Sequence, residues 1–139
     1  MPIPRFRERR RSPEPRPALA GSIIRDYIVE RALGDTVIDD SRMCPGATAL
    51  HLPDSNPAYP TAFMVDHEFV HVHTDGSLHV AANPFTVDDI VANGWAEKHP
   101  EAGLSLPTNV LLVYSPRDQS ELEAVSDIMR TTFAWAADL

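Results

Sequence analysis

Glu68-Phe69-Val70-His71-Val72-His73-Thr74-Asp75-Gly76-Ser77-Leu78-His79 reads as two strands folded around a tight turn. Glycine at Gly76 accepts the positive φ that a hairpin turn needs, and Val70, Val72, Leu78 and Val80 flank it with strand-forming residues. Side chains alternate along a strand, so His71 and His73 share one face, about 6–7 Å apart along the chain. The loop length decides the rest. A two-residue loop pairs His73 with Leu78 and sends His79 to the other face, whereas a three-residue loop, Thr74-Asp75-Gly76 with a glycine bulge, pairs His71 with His79 and gathers all three imidazoles. Both loops fit the sequence. Glu68 has the opposite parity to His71, so it joins the same set only across a bulge; in an unbroken strand it serves to neutralise a neighbouring cation.

Outward from this hairpin, Ser22 caps a helix with apolar positions Ile23, Ile24, Tyr27, Ile28 and Ala32, closing at Gly34. Ala47–Leu52, Ala62–Val65, Glu68–His73 and Ser77–Ala81 read as strands, with Asp66-His67 as a turn. Thr86 and Asp89 form a capping pair for a short helix ended by Gly94. Asn109–Tyr114 is a continuous apolar strand, and Asp118 with Glu121 caps a last helix striped by Leu122, Val125, Ile128, Met129, Thr132 and Phe133. This order predicts a single α+β domain, a mainly antiparallel sheet with its helices packed on one face. If the helices cover Val70 and Val72, then Phe69, His71 and His73 line the opposite face. Trp95, His99 and the loop Pro53–Pro60 would roof a groove there.

The chain has 139 residues, 43% of them hydrophobic, enough for one core without a disulfide or structural metal. Its one cysteine, Cys44, sits before Pro45-Gly46 and reads as a small packed residue rather than a nucleophile. Residues 1–20 form a Pro/Arg-rich basic tail expected to stay disordered, and 21–139 form the domain. Met1–Arg16 holds six arginines against two glutamates, a surplus of four positive charges in a chain of net charge −8. The body is therefore strongly acidic, which argues against a specific nucleic-acid partner. No apolar run reaches membrane-spanning length and none follows the arginines as a secretory leader would, so a cytoplasmic protein is expected.

Four of the six histidines lie near the hairpin, the fourth in Gly94-Trp95-Ala96-Glu97-Lys98-His99-Pro100. Together with Val113-Tyr114-Ser115-Pro116-Arg117-Asp118, these segments resemble the luciferase-like domain family, which includes the fungal luciferase of the hispidin pathway and small bacterial relatives. The resemblance runs from about Ile23 to Ala136. Asp66-His67 departs from it where a glycine-containing turn is expected. For the fungal branch it implies oxygenation of a hydroxylated pyrone without an organic cofactor; light emission needs a dedicated substrate and does not follow.

The expected function is accordingly an oxygenase-type enzyme for a small hydroxylated aromatic or pyrone-like substrate, with dioxygen as partner. His71, His73, His79 and His99 are the candidate catalytic residues; Phe69, Trp95, Tyr114, Arg117 and Glu68 are candidates for substrate binding. Either no cofactor is used and a histidine ionises the substrate, or His71, His73 and His79 hold one divalent Zn, Fe or Mn. A non-catalytic small-molecule or metal-binding module is the alternative. Each residue also has a structural explanation: Trp95 as a core anchor, Tyr114 as the end of a buried strand, Arg117-Asp118 as a strand-to-helix junction, and Asp75 and Ser77 as turn residues.

Overall fold

The computed structural model describes residues 17–52 and 62–138. The basic tail through Arg16 and the loop expected to roof the groove, Pro53–Pro60, lie outside them. Three helices, α1 (Gly21–Glu30), α2 (Val87–Ala92) and α3 (Gln119–Ala136), accompany six strands, β1 (Val37–Asp40), β2 (Thr48–His51), β3 (Glu68–Val72), β4 (Leu78–Ala81), β5 (Ala96–Lys98) and β6 (Val110–Val113). The strands form one sheet in the order β1-β2-β3-β4-β6-β5, every pair antiparallel. The fold is α+β, as expected.

All three helices bury their apolar faces on the same side of the sheet. Ile24 and Ile28 of α1, Val87 and Ile90 of α2, and Leu122, Val125, Ile128 and Met129 of α3 form one core with Leu50, Val70, Val72, Leu78, Val80, Leu111 and Val113. The alternate strand residues face the other way. There a smaller apolar group, Met64, Ala81, Leu106 and Val110 with Met43 against it, covers part of the outer face and leaves the hairpin histidines their own region.

Local signals set most element ends, and tertiary contacts override a few. Asp118 caps α3 by accepting from the Glu121 N–H at 2.8 Å. The α1 cap is Ala20, not Ser22, and no side chain caps it. Docking decides this: Gly21 lies so close to the hairpin loop that a Cβ there would sit 1.9 Å from the Thr74 carbonyl oxygen. The helix closes at Glu30, with Gly34 in the following turn at φ 57°. Thr86 precedes α2, but its hydroxyl donates to the Asn83 carbonyl instead of pairing with Asp89. Ala62–Val65 is not a strand; it makes only an isolated bridge from Val65 to Glu68, leading into a turn in which Asp66 takes φ 48°. Two short strands, β1 and β5, were not anticipated. All four residues of β1 are exposed, so it carries no apolar alternation to read.

The hairpin adopts the three-residue loop. Val72 pairs with Leu78 and His71 with His79; the His73 N–H bonds the Ser77 carbonyl at 2.8 Å, and Gly76 has φ 90°. All three histidines therefore belong to the outer face. At the far end of β3, Leu50 pairs with Val70 while His51 pairs with Glu68, which leaves Phe69 as an extra residue in a bulge. This bulge corrects two expectations at once. Phe69 turns into the helical core, its ring 6.1 Å from that of Phe133, and Glu68 moves onto the face of His71.

Candidate metal centre

A cross-strand row carries the site: Ala49, His71, His79, Leu112 and Glu97 lie side by side across β2, β3, β4, β6 and β5. His73 adds itself one step beyond β3, and the ring of His99 approaches His79 with a centroid distance of 4.4 Å. His71 is fully buried, while His73, His79 and His99 are half-exposed. His71 Nε2 is the hub. It lies 3.1 Å from His73 Nε2 and 2.9 Å from His79 Nδ1.

Hydrogen bonds at the back of two rings fix where their protons are. Burial pushes the Glu68 carboxyl upward, but hydrogen bonds from His71, the Arg42 N–H and the Ser41 hydroxyl prevail and hold it below the ordinary glutamate value. Ionised Glu68 can only accept, so His71 Nδ1 carries a proton and donates it at 2.7 Å. The Ser77 hydroxyl donates to Asp75 Oδ1 at 2.7 Å, and Asp75 is held ionised chiefly by the hydrogen bonds of the Ser77 side chain and backbone. The serine oxygen then accepts from His73 Nδ1 at 2.9 Å. The two rings consequently turn their Nε2 atoms toward each other across 3.1 Å.

In two neutral rings the facing lone pairs repel unless a cation or a donor lies between or beside them. Protonation of the two outer rings is disfavoured: burial first, then the neighbouring imidazoles, lower the pKa of His73 and push that of His79 down to about 3. Tetrahedral ligation at 2.0–2.1 Å separates two nitrogens by about 3.3 Å. The observed separations are a few tenths of an ångström shorter. Imidazole backed by carboxylate is also the usual support of a metal-bound histidine. The donors present fit a divalent metal ion.

Comparison with known proteins follows the same residues. The family described as Luciferase domain matches 66–132, from the turn before β3 into α3. That stretch is luciferase-like. Fungal proteins named Luciferase are similar to it: that of Armillaria ostoyae is 31% identical over 88 residues, that of Armillaria gallica 30% and that of Neonothopanus nambi 27%. Each alignment covers 60% of this chain and 33% of the relative, so the chain matches about a third of the length of those proteins. No solved structure matches it.

Of the candidate residues, the luciferase-like domain brings Glu68, His71, His73, His79 and His99 together. It places Phe69, Trp95 and Arg117 apart from them. Phe69 and Trp95 are buried in the core on the helical side, where they cannot form an aromatic wall for the outer face. Arg117 is held at the head of α3 by both carboxylate oxygens of Glu121. Tyr114 follows β6, its N–H bonded to the Trp95 carbonyl. Sequence reasoning missed Leu112, which lies beside His79 across the sheet, because that position looked merely buried within β6. It also missed the donor role of Ser77, whose Asp75-x-Ser77 spacing reads first as turn chemistry. Among the described residues no helix is long and apolar enough to cross a membrane.

The depressed histidines predict acid sensitivity of the metal-free protein. His79 has a folded pKa of about 3 against an ordinary 6.5, so between these values the unfolded chain binds a proton that the folded chain refuses. Stability is full above pH 6.5 and is lost as pH falls through that window; His73 contributes with the same sign. Because the rings are half-exposed, we expect a loss of only about 1 kcal/mol between pH 7 and 5. Urea midpoints at the two pH values measure it, and His79→Asn should shrink the difference. An unchanged midpoint in the parent would contradict the lowered pKa values of His73 and His79.

Proposed function

We propose that this luciferase-like domain is an oxygenase-type enzyme that holds one divalent metal ion through His71, His73 and His79 and acts on a small hydroxylated aromatic or pyrone-like substrate. The observation that carries the proposal is the pair of Nε2 atoms, each on a ring oriented by a carboxylate-ended hydrogen-bond chain, facing one another at 3.1 Å. A bound ion of the zinc, iron or manganese class supplies Lewis acidity and, for iron or manganese, oxygen activation. The protein residues orient the partners around it. His99 Nδ1 accepts from the Glu101 N–H, so the neutral ring presents Nε2–H as a donor for a substrate oxygen beside His79. Leu112, next to His79 across the sheet, offers apolar contact to a flat ring.

A metal-free route, in which a histidine ionises the substrate, is less well supported. A ring with a pKa of about 3 is a poor base for a phenol near pKa 10. The substrate class rests on the relationship to the fungal luciferases and on the polar and apolar groups of this face. Oxygen uptake on a panel of hydroxypyrones and catechols tests it. Substrate-dependent uptake that disappears with a chelator and returns with iron or manganese supports the proposal. Uptake unaffected by the chelator would favour the metal-free route, and no uptake on any member would sink the oxygenase reading.

A further inference from the structure

Between β1 and β2 the segment Ser41-Arg42-Met43-Cys44-Pro45-Gly46 crosses the outer face of the sheet and is pinned there by Glu68. The Ser41 hydroxyl donates to Glu68 Oε2 and the Arg42 N–H donates to Oε1, both at 2.8 Å. The same serine oxygen accepts from the N–H groups of Met43 and Cys44 at 3.1 Å, and Ala47 N–H closes the turn on the Cys44 carbonyl. One buried carboxylate thus holds both the His71 ring and the backbone that presents Cys44. The half-exposed Cys44 thiol is left facing the histidines: its sulfur and one nitrogen each of His71 and His73 all lie within 4.8 Å of one another.

We infer that Cys44 is a thiolate ligand of the ion held by His71 and His73, which makes the centre a mixed sulfur–nitrogen site rather than an all-histidine one. This rests on the metal-binding reading above. Tetrahedral bonds of 2.3 Å to sulfur and 2.0–2.1 Å to nitrogen separate the two donors by about 3.6 Å. Closing from the present spacing takes at most about 1.2 Å, a shift that side-chain rotation can supply. Metal binding displaces the thiol proton to solvent, because the thiolate is the form that ligates. A soft donor also changes which ions are accepted. Thiolate with imidazole favours zinc, iron(II), cobalt(II) or copper over manganese and magnesium, which prefer oxygen.

Cobalt(II) titration of the reduced full chain tests the assignment, since a cobalt–thiolate bond gives a near-ultraviolet charge-transfer band that histidine ligands do not. We expect that band with one equivalent of cobalt. Cys44→Ser should abolish it, keep the weaker visible cobalt bands, and weaken binding by at least about 10-fold, the loss that even an outer partner of a ligand can cause. Manganese should compete poorly for the parent protein. Cobalt bound without the charge-transfer band would overturn the thiolate assignment and leave the histidine site standing. No cobalt binding would overturn both, and a band that survives in Cys44→Ala would also contradict the assignment.

Discussion

Glu68→Ala lowers the free energy of unfolding by about 3–5 kcal/mol, the cost of leaving several donors without their buried carboxylate acceptor. The carboxylate is fully buried and receives the His71 Nδ1–H, the Ser41 hydroxyl and the Arg42 N–H. Its deletion leaves those donors without their acceptor and frees the Ser41–Gly46 turn from the sheet. Metal binding should weaken as well, by roughly 10–100-fold, because His71 loses the partner that fixes its tautomer. Glu68→Gln keeps the shape but places an amide donor among donors, so it should lose nearly as much metal affinity while unfolding less easily than the alanine variant. Urea unfolding and metal titration measure the two effects separately. A loss within about 0.5 kcal/mol for the alanine variant, typical of an unremarkable surface change, would contradict the shared-clamp reading.

The second large effect is expected from His73→Ala combined with His79→Ala. Both rings are half-exposed, so their removal spares the buried Glu68–His71 pair and the sheet beneath. Structural zinc sites bind with about 10–16 kcal/mol over four ligands, or roughly 3 kcal/mol per ligand. Two missing ligands then reduce affinity by about 10,000-fold. Substrate-dependent oxygen uptake should vanish with the metal, while the circular dichroism and cooperative unfolding of the metal-free protein persist. Uptake that survives the double substitution would place the chemistry elsewhere. Loss of the cooperative transition would show the two rings to be structural.

The hairpin was legible because its information is local. Val70, Val72, Leu78 and Gly76 establish two strands and a turn, and the parity of His71 and His73 follows from the pleat alone. The position of His79 depended on a loop of two or three residues, both compatible with Asp75-Gly76, and was resolved only by the register of Val72 with Leu78. Phe69 and Glu68 illustrate a different limit. A bulge reverses the side of every residue beyond it, and this one is imposed by pairing with Leu50 and His51 on another strand, so nothing in the Glu68–His73 segment announces it. Likewise, Cys44 lies far from the histidines in sequence and is preceded by strand β1, whose residues are all exposed and show no alternation of burial. Its approach depends on Ser41 and Arg42 reaching Glu68, a contact spanning 26 or 27 residues. Local propensity therefore placed the imidazoles, and non-local pairing supplied their carboxylate and the adjacent thiol.

The central claim is that the His71 and His73 lone pairs are built to receive a metal ion. Elemental analysis of tag-free protein, purified under reducing conditions without chelator and then equilibrated in turn with zinc, iron(II) and cobalt(II), tests it most directly. The account predicts one ion per chain, retained through gel filtration and absent from the His73→Ala, His79→Ala variant. A parent protein that retains none of these ions, or binds them equally well after the two rings are removed, would contradict it.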